Sequence, residues 1–559
     1  MYRGYKYMQI KKLKIKGLRG FAEETNINFA IPDNKNIGSG LTVLVGPNNS
    51  GKSTVIEAIH ILNNNADIVP ITSRNIKTNG KVEIEIEDTN GNTVSLQSTE
   101  NKGAFIERRY NNEIVEHVDN MNTFILSSKR SFSSTFHNNN YQTRENYKGN
   151  ISQSDYRNEN NINNNFGGRL LTIYKNREKF DDCLEKVLSP LPKWTIESSN
   201  DNSLYLEFSF DGIKHSSKGA GDGYINIFNI VDALYDSTEN NVILIDEPEI
   251  SLHPDLQRKL FALLVEYSKD KQIIISTHSP YFVNWKLFSE YAQIVRLKKV
   301  NNSIKVFELT DNTRDGIKKV LKDTSQPHTL SLDANEIFFL NDNVILTEGQ
   351  EDVLCYKEIF KKYNYESKAS FFGWGAGGAP KIEFILNILV DLGYEKVFTI
   401  LDNDQRNKIV KLKELYPQYE FYSIITDDIR DKTRDNKIDN IIEKIEKLQI
   451  ENKGEIIDFI NSKFKNKKGL VCNMSTYEIN KEFESDIINL LEQITKYFKN
   501  DNIKQHKENA IIEDREIDDN LKAKQLLNKW IKDNRPFEDI LKRYKKFEFH
   551  CGGRRRIKF

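Results

Sequence analysis

Leu41-Thr42-Val43-Leu44-Val45-Gly46-Pro47-Asn48-Asn49-Ser50-Gly51-Lys52-Ser53-Thr54 is the stretch on which the fold turns. Its first five residues form the nearly continuous apolar run of a strand buried on both faces. The run enters a glycine-rich loop with G-x-x-x-x-G-K-S spacing, and Val55-Ile56-Glu57-Ala58-Ile59-His60-Ile61-Leu62 then has helical spacing. A strand that turns through such a loop into a helix is a phosphate cradle. The glycines let backbone N–H groups close around an anion, and the helix N-terminus favours negative charge. Lys52 puts a positive charge on the terminal phosphates, and the Ser53 hydroxyl suits Mg²⁺. The expected ATP-binding residues are Gly46, Asn48, Asn49, Ser50, Gly51, Lys52, Ser53 and Thr54, with ATP and Mg²⁺ as cofactors.

Two later segments fit the same chemistry. The apolar run Asn241-Val242-Ile243-Leu244-Ile245 ends in Asp246-Glu247 and then Pro248-Glu249-Ile250-Ser251-Leu252-His253-Pro254. At a strand end, Asp246 would hold Mg²⁺ through water, and Glu247 would orient or deprotonate the attacking water. The run Gln272-Ile273-Ile274-Ile275 ends in Ser276-Thr277-His278-Ser279-Pro280, which places His278 where it could contact a γ-phosphate.

Around these motifs the chain of 559 residues is too long for one hydrophobic core, so two or more domains are expected. No run of eighteen apolar residues spans a membrane, and the N-terminus lacks the apolar stretch of a signal peptide, so a cytoplasmic protein is expected. The four cysteines are far apart with no C-x-x-C pair, which argues against a zinc site or a disulfide framework. The 81 basic and 81 acidic residues cancel, so bulk charge does not announce a nucleic-acid partner. A local basic patch could still serve, and Lys542-Arg543-Tyr544-Lys545-Lys546 with Arg554-Arg555-Arg556-Ile557-Lys558 supplies a candidate that reads equally as a solvated tail. The Asn-rich stretch 138–165 reads as a long mobile loop, because it has few aliphatics to bury.

The second half carries another acidic pattern. Val344-Ile345-Leu346-Thr347-Glu348-Gly349-Gln350-Glu351-Asp352 places Glu348 at a strand end and Asp352 four residues on. The apolar run Lys396-Val397-Phe398-Thr399-Ile400-Leu401 leads into Asp402-Asn403-Asp404. Oxygen ligands at i and i+2 beyond a buried strand suit a hard cation, Mg²⁺ or Mn²⁺. Between them, the glycine-rich segment Gly373-Trp374-Gly375-Ala376-Gly377-Gly378 could approach a phosphate backbone or simply need positive φ angles.

The first 300 residues resemble the ABC-type ATPases of the SMC, recombination-mediator and OLD group. The resemblance rests on the phosphate loop, the acidic pair, the Leu-His-Pro segment and the Thr-His-Ser-Pro switch. It implies a signature loop from one ATPase head closing the nucleotide site of another. Ser216-Ser217-Lys218-Gly219-Ala220-Gly221-Asp222-Gly223 is the local match, with Ser216, Ser217, Gly219 and Gly221 as the expected contacts, although it departs from the transporter-type signature. Arg130 looks like the basic residue that this group carries where transporters have a glutamine. The Glu348 and Asp402 motifs resemble a Toprim domain. The order ABC ATPase then Toprim resembles the OLD (overcoming lysogenization defect) nucleases.

That resemblance implies an α/β protein: an N-terminal ABC-type ATPase domain (1–325), a connector (326–340), and a C-terminal Toprim domain with a parallel sheet and helical additions (341–540). The Toprim domain would carry a Lys/Glu-rich insert at 431–468 and be followed by a basic tail (541–559). It also implies metal-dependent DNA cleavage, with Glu348, Asp352, Asp402 and Asp404 as ligands, or Glu348 as general base. Glu484 in Lys481-Glu482-Phe483-Glu484 stands for the family's later acidic motif, and Lys522 or Lys524 for its late lysine. The implied partners are DNA, a second copy joined through the ATPase heads in a dimer or higher oligomer, and a defence-system component. That component is a helicase-like protein or, in a retron, a reverse transcriptase with its DNA product. The competing expectation is an SMC-like ATP-driven clamp on DNA or protein, in which the Toprim fold is a non-cleaving scaffold.

Overall fold

The computed structural model describes residues 9–63, 69–98, 106–116, 122–130, 135–136, 141–153, 159–200, 203–210, 212–216, 221–238, 241–322, 329–340, 343–432, 436–447, 453–463, 466–499, 550–551 and 555–556. The chain divides into two compact units, Met1–Gly349 with Ala369–Val397, and Gln350–Lys368 with Phe398–Phe559.

The first unit is built on a six-stranded sheet in the order Ser303–Glu308, Gln293–Val300, Leu41–Val45, Gln272–Ser276, Val242–Asp246, Thr123–Leu126. All neighbours are parallel except the hairpin of the first two. Leu41–Val45, Val242–Asp246 and Gln272–Ser276 are buried at every position, as their unbroken apolar runs require of strands covered on both faces. A second six-stranded sheet, antiparallel, runs Thr25–Asn28, Ile10–Lys16, Glu83–Asp88, Thr93–Ser98, Ile106–Tyr110, Glu113–Val115. In Glu83–Asp88 and Thr93–Ser98 every second residue is buried, so one face of this sheet meets the core. The helix Lys52–Asn63 supplies Val55, Ile56, Ala58, Ile59 and Leu62 to the same apolar cluster as Leu13, Ile15, Ile84 and Leu96. Parallel pairing puts the carboxyl ends of the central strands along one edge, and the phosphate loop, the acidic pair and the Thr277-His278 turn all leave from that edge.

Two stretches differ from expectation. Most of the Asn-rich stretch is helical, in Arg144–Gln153 and Glu159–Tyr174, rather than a loop. The helices are fixed by a few non-Asn residues: Tyr147, Phe166 and Leu170 are buried, and Arg144 and Arg169 pair with Asp236. The span 326–340, expected as a connector, packs into the first unit where it is described. Leu330, Ala334, Ile337 and Phe338 are buried, Phe338 lies against Trp285, and Asn335 Nδ2 donates to the Pro280 and Val283 carbonyls at 3.0 and 3.1 Å.

A further sheet has the order Ser370–Phe371, Asn343–Leu346, Lys396–Leu401, Glu420–Ser423, its outer pairs parallel. The helices Gln350–Lys362, Ile382–Asp391 and Arg406–Leu415 alternate with these strands. The Lys/Glu-rich insert forms two helices, Asn436–Glu446 and Lys453–Lys463. Cys183 and Cys355 are buried free thiols, and Cys472 is exposed. Among the described residues no helix is long and apolar enough to cross a membrane.

Candidate nucleotide site and acidic cluster

The phosphate loop has the backbone its glycines allow. Gly46 and Gly51 sit at φ 138° and 98°, and a Cβ on Gly46 would come within 2.1 Å of the Leu297 carbonyl oxygen. Lys52 Nζ donates to the Gly46 and Pro47 carbonyls at 2.9 and 3.0 Å, so its ammonium lies inside the curl of the loop. Burial holds its pKa down at about 8, against the pull of Glu247, Asp246 and Glu249. Asn48 and Asn49 are exposed at the loop tip, whereas Ser50 and Thr54 are buried, so the Thr54 side chain belongs to the packing beneath the loop.

Ser53 Oγ donates to Asp246 Oδ1 at 3.1 Å, and Ser276 Oγ donates to the same oxygen. The register Asp246↔Ser276 places those two opposite each other. A hydroxyl and a carboxylate at the mouth of the phosphate loop fit a Mg²⁺ held with nucleotide. Glu247, next in the chain, has φ 51°, a left-handed conformation unusual for its type. Burial, and then Asp246 beside it, push its pKa up. His278 Nε2 lies 3.9 Å from Glu247 Oε1, and its backbone N–H donates to Glu249 Oε1 at 2.6 Å. Burial and the Lys52 charge lower the His278 pKa to about 4, so the imidazole is neutral near pH 7.

Arg130 follows the Thr123–Leu126 strand. Its Nη1 donates to the Ser127 and Asp246 carbonyls at 2.8 and 2.6 Å, its Nη2 to the Glu247 carbonyl at 2.6 Å, and its Nε to Asn226 Oδ1 at 2.6 Å. Asn226 Nδ2 in turn donates to the Pro248 and Ile250 carbonyls at 3.0 and 2.8 Å. Sequence reasoning singles out Arg130 only by resemblance and misses Asn226, Ser276 and Glu249. Contacts to backbone carbonyls leave no residue pattern to read. Of the signature-like stretch, Ser216 ends the Ile213–Ser216 strand and Gly221 precedes the Asp222–Tyr235 helix. Ser217 and Gly219 lie outside the described residues.

In the second half, Glu348, Asp402 and Asp404 each offer a carboxylate oxygen, and these oxygens lie within 4.8 Å of one another. Three hard oxygen donors at that spacing fit a divalent cation such as Mg²⁺ or Mn²⁺. Asp352 lies in the first turn of the Gln350–Lys362 helix and is not one of the three. Glu484 is exposed at the start of the Glu484–Lys499 helix and is also not among them. Lys522 and Lys524 lie outside the described residues. The Glu348 carbonyl accepts from Gly378 N at 2.6 Å, which ties the glycine-rich segment to the strand end. Asn403, between the two aspartates, donates through Nδ2 to Asp427 Oδ1 at 3.2 Å, and Lys467 Nζ lies 3.0 Å from Asp427 Oδ2. Sequence reading does not single out Asp427 or Lys467, because each lies in a stretch crowded with like residues.

A family model described as "AAA domain, putative AbiEii toxin, Type IV TA system" matches residues 41–284. An OLD nuclease of Thermus scotoductus (strain ATCC 700910 / SA-01) is 30% identical over 149 residues, 26% of this chain and 28% of that one. Septu protein PtuA of Bacillus thuringiensis is 26% identical over 320 residues, 50% of this chain and 74% of that one. Endonuclease GajA of Bacillus cereus (strain HuB5-5) is 22% identical over 425 residues, 68% of this chain and 56% of that one. The chain therefore spans well under two thirds of the two relatives named as nucleases. Residues 41–284 thus match an ATPase domain of α/β fold, and stretches that make up 26%, 50% and 68% of the chain are similar to OLD nuclease, PtuA and GajA respectively.

Proposed function

We propose that this chain is an ATP-regulated, metal-dependent DNA endonuclease of the OLD type that acts in defence against phage. The observation that carries the nuclease half of the reading is the convergence of Glu348, Asp402 and Asp404. The two nuclease-named relatives support it.

In the ATPase half, Lys52 neutralises the terminal phosphates and the loop N–H groups hold them. Ser53 and Asp246 would hold Mg²⁺, which offsets charge on the β- and γ-phosphate oxygens. Glu247, its carboxylate made more basic by burial, orients the attacking water and takes its proton. Neutral His278 contacts the γ-phosphate as a hydrogen-bond partner without adding charge. A second copy supplies Ser216, Ser217, Gly219 and Gly221 to close the site, which makes the working form a dimer or higher oligomer.

In the other half, Glu348, Asp402 and Asp404 would hold Mg²⁺ or Mn²⁺, which activates the attacking water and stabilises the leaving oxygen in phosphodiester cleavage. Asp352 and Glu484 complete the acidic set from its margin, and Lys522 or Lys524 offsets transition-state charge. Residues 341–540 are the Toprim domain in this reading, and ATP state gates its access to DNA.

Supercoiled plasmid incubated with Mg²⁺ or Mn²⁺, with and without ATP, tests the reading. Nicked or linear product from the wild type, lost in Glu348→Ala and Asp402→Ala, is the expected result. Cleavage that persists in the double variant would sink the assignment of these acids. ATP turnover with no cleavage under any condition would favour an ATP-driven clamp with a non-cleaving scaffold.

A further inference from the structure

Glu247 does its work from a backbone conformation that L residues avoid, at φ 51°. Something must hold it there, because an L residue leaves this region unless its surroundings fix it. Lys52 and His278 act on its side chain, and its backbone N–H donates to the Ser276 carbonyl at 2.9 Å, which leaves the peptide groups that follow to be fixed from elsewhere.

We propose that Arg130 is the positioning residue that holds Glu247 in its working conformation, with Asn226 as its second anchor. This deepens the ATPase reading and rests on it. The guanidinium grips the carbonyl on each side of the Asp246–Glu247 junction, Asp246 O and Glu247 O, each at 2.6 Å. A planar fork with donors fixed in direction defines the orientation of those two peptide groups, which a single ammonium cannot do. The Ser127 carbonyl, at 2.8 Å, braces the fork against the neighbouring strand end. Asn226 extends the grip by holding Pro248 O and Ile250 O and accepting from Arg130 Nε. Side-chain donors from Arg130 and Asn226 thus reach the carbonyls of four of the five residues in the turn 246–250, alongside the backbone bonds from Glu247 N to Ser276 O at 2.9 Å, Ile250 N to Glu247 O at 3.3 Å and Leu252 N to Glu249 O at 3.0 Å. Arg130 therefore acts on ATP hydrolysis through the backbone of the Asp246–Glu247 turn.

The role predicts a split between turnover and binding. In the full-length protein, Arg130→Ala should lower kcat on the order of 10²-fold, the cost of a displaced general base. Nucleotide affinity, read with a fluorescent ATP analogue in the Glu247→Gln background, should stay within about twofold. Arg130→Lys should recover only part of kcat, and Asn226→Ala should lower kcat less than Arg130→Ala while still melting cooperatively as a folded protein. Two results would overturn the proposal: affinity falling in step with kcat, or full kcat in both Arg130→Lys and Asn226→Ala. If Arg130→Ala does not fold, the lysine and Asn226 variants decide alone. Absence of ATP turnover in the wild type overturns the ATPase reading and this proposal together. Wild-type turnover with undiminished kcat in the variants overturns the proposal only.

Discussion

Ser53 and Asp246, 193 residues apart, meet through a 3.1 Å hydrogen bond between a helix's first turn and the end of a buried strand. The pair joins a hydroxyl and a carboxylate, oxygen donors that suit a divalent cation. Asp246→Asn should remove the dependence of ATP binding on Mg²⁺ and abolish turnover, while Ser53→Ala should weaken that dependence. Titrating a fluorescent ATP analogue with and without Mg²⁺ checks this. An unchanged Mg²⁺ dependence in Asp246→Asn would show that the cation sits elsewhere.

Lys52 is held by two loop carbonyls that phosphate oxygens would replace. Lys52→Ala removes charge-assisted hydrogen bonds worth about 2–3 kcal/mol, roughly 30- to 150-fold in ATP Kd. Isothermal titration measures it directly. The sign of its effect on DNA cleavage distinguishes ATP as a licence from ATP as a restraint.

His278 links pH to stability. Unfolded, its imidazole takes up a proton near 6.5, whereas in the fold, burial and Lys52 delay that to about 4. The unfolded state therefore binds more protons between those values, so this contribution is complete above pH 6.5 and is lost as pH falls toward 4. Melting temperature followed from pH 7.5 to 4.5 should fall less steeply in His278→Asn than in the wild type. Equal slopes would mean that His278 titrates as it does in water.

The acidic cluster separates two carboxylates that look alike in sequence. Asp402 is within the set of mutually close oxygens and Asp352 is not. At saturating Mn²⁺, Asp402→Ala should abolish plasmid nicking, and Asp352→Ala should keep at least a tenth of it. Equal loss in both would bring Asp352 into the metal-holding set.

Arg169 and Asp232 form a buried ion pair at 2.9 Å, their side chains 3% and 0% exposed. Removing Asp232 leaves the Arg169 guanidinium with Asp236 as its remaining carboxylate partner among the described residues and its Nε–H without an acceptor, so Asp232→Ala should destabilise the protein by about 2–3 kcal/mol. Urea unfolding followed by circular dichroism would show it. A loss below about 1 kcal/mol would mean that water reaches Arg169 in the variant.

The parts of this molecule that the sequence discloses are those in which chemistry and burial coincide. Leu41–Val45, Val242–Asp246 and Gln272–Ser276 combine unbroken apolar runs with a motif at the carboxyl end, so strand, edge and ligand are read together. The helices at 144–153 and 159–174 are hidden because asparagine masks helical periodicity, and only Tyr147, Phe166 and the two arginines give them purpose. The division of the chain is hidden because it is non-local. Buried Arg296 donates to the Leu392 carbonyl at 2.6 Å, and Lys298 to the Gly393 carbonyl at 3.2 Å, which draws residues 392–393 into the first unit. No local composition marks such a contact. Arg130 shows the same limit at the nucleotide site, since its partners are peptide groups that any sequence supplies.

The Asp222–Tyr235 helix is pinned at both ends. Near its start, Asn226 grips the turn beyond Glu247, and Gly223 leaves no room for a side chain against the Ser251 carbonyl. At its end, Arg144 and Arg169 take hold of the Asp232 and Ala233 carbonyls and the Asp232 and Asp236 carboxylates. One helix therefore joins the asparagine-rich helices at its far end to the turn that carries Glu247 at its near end, which makes the least conspicuous stretch of the chain an anchor for the most conspicuous one.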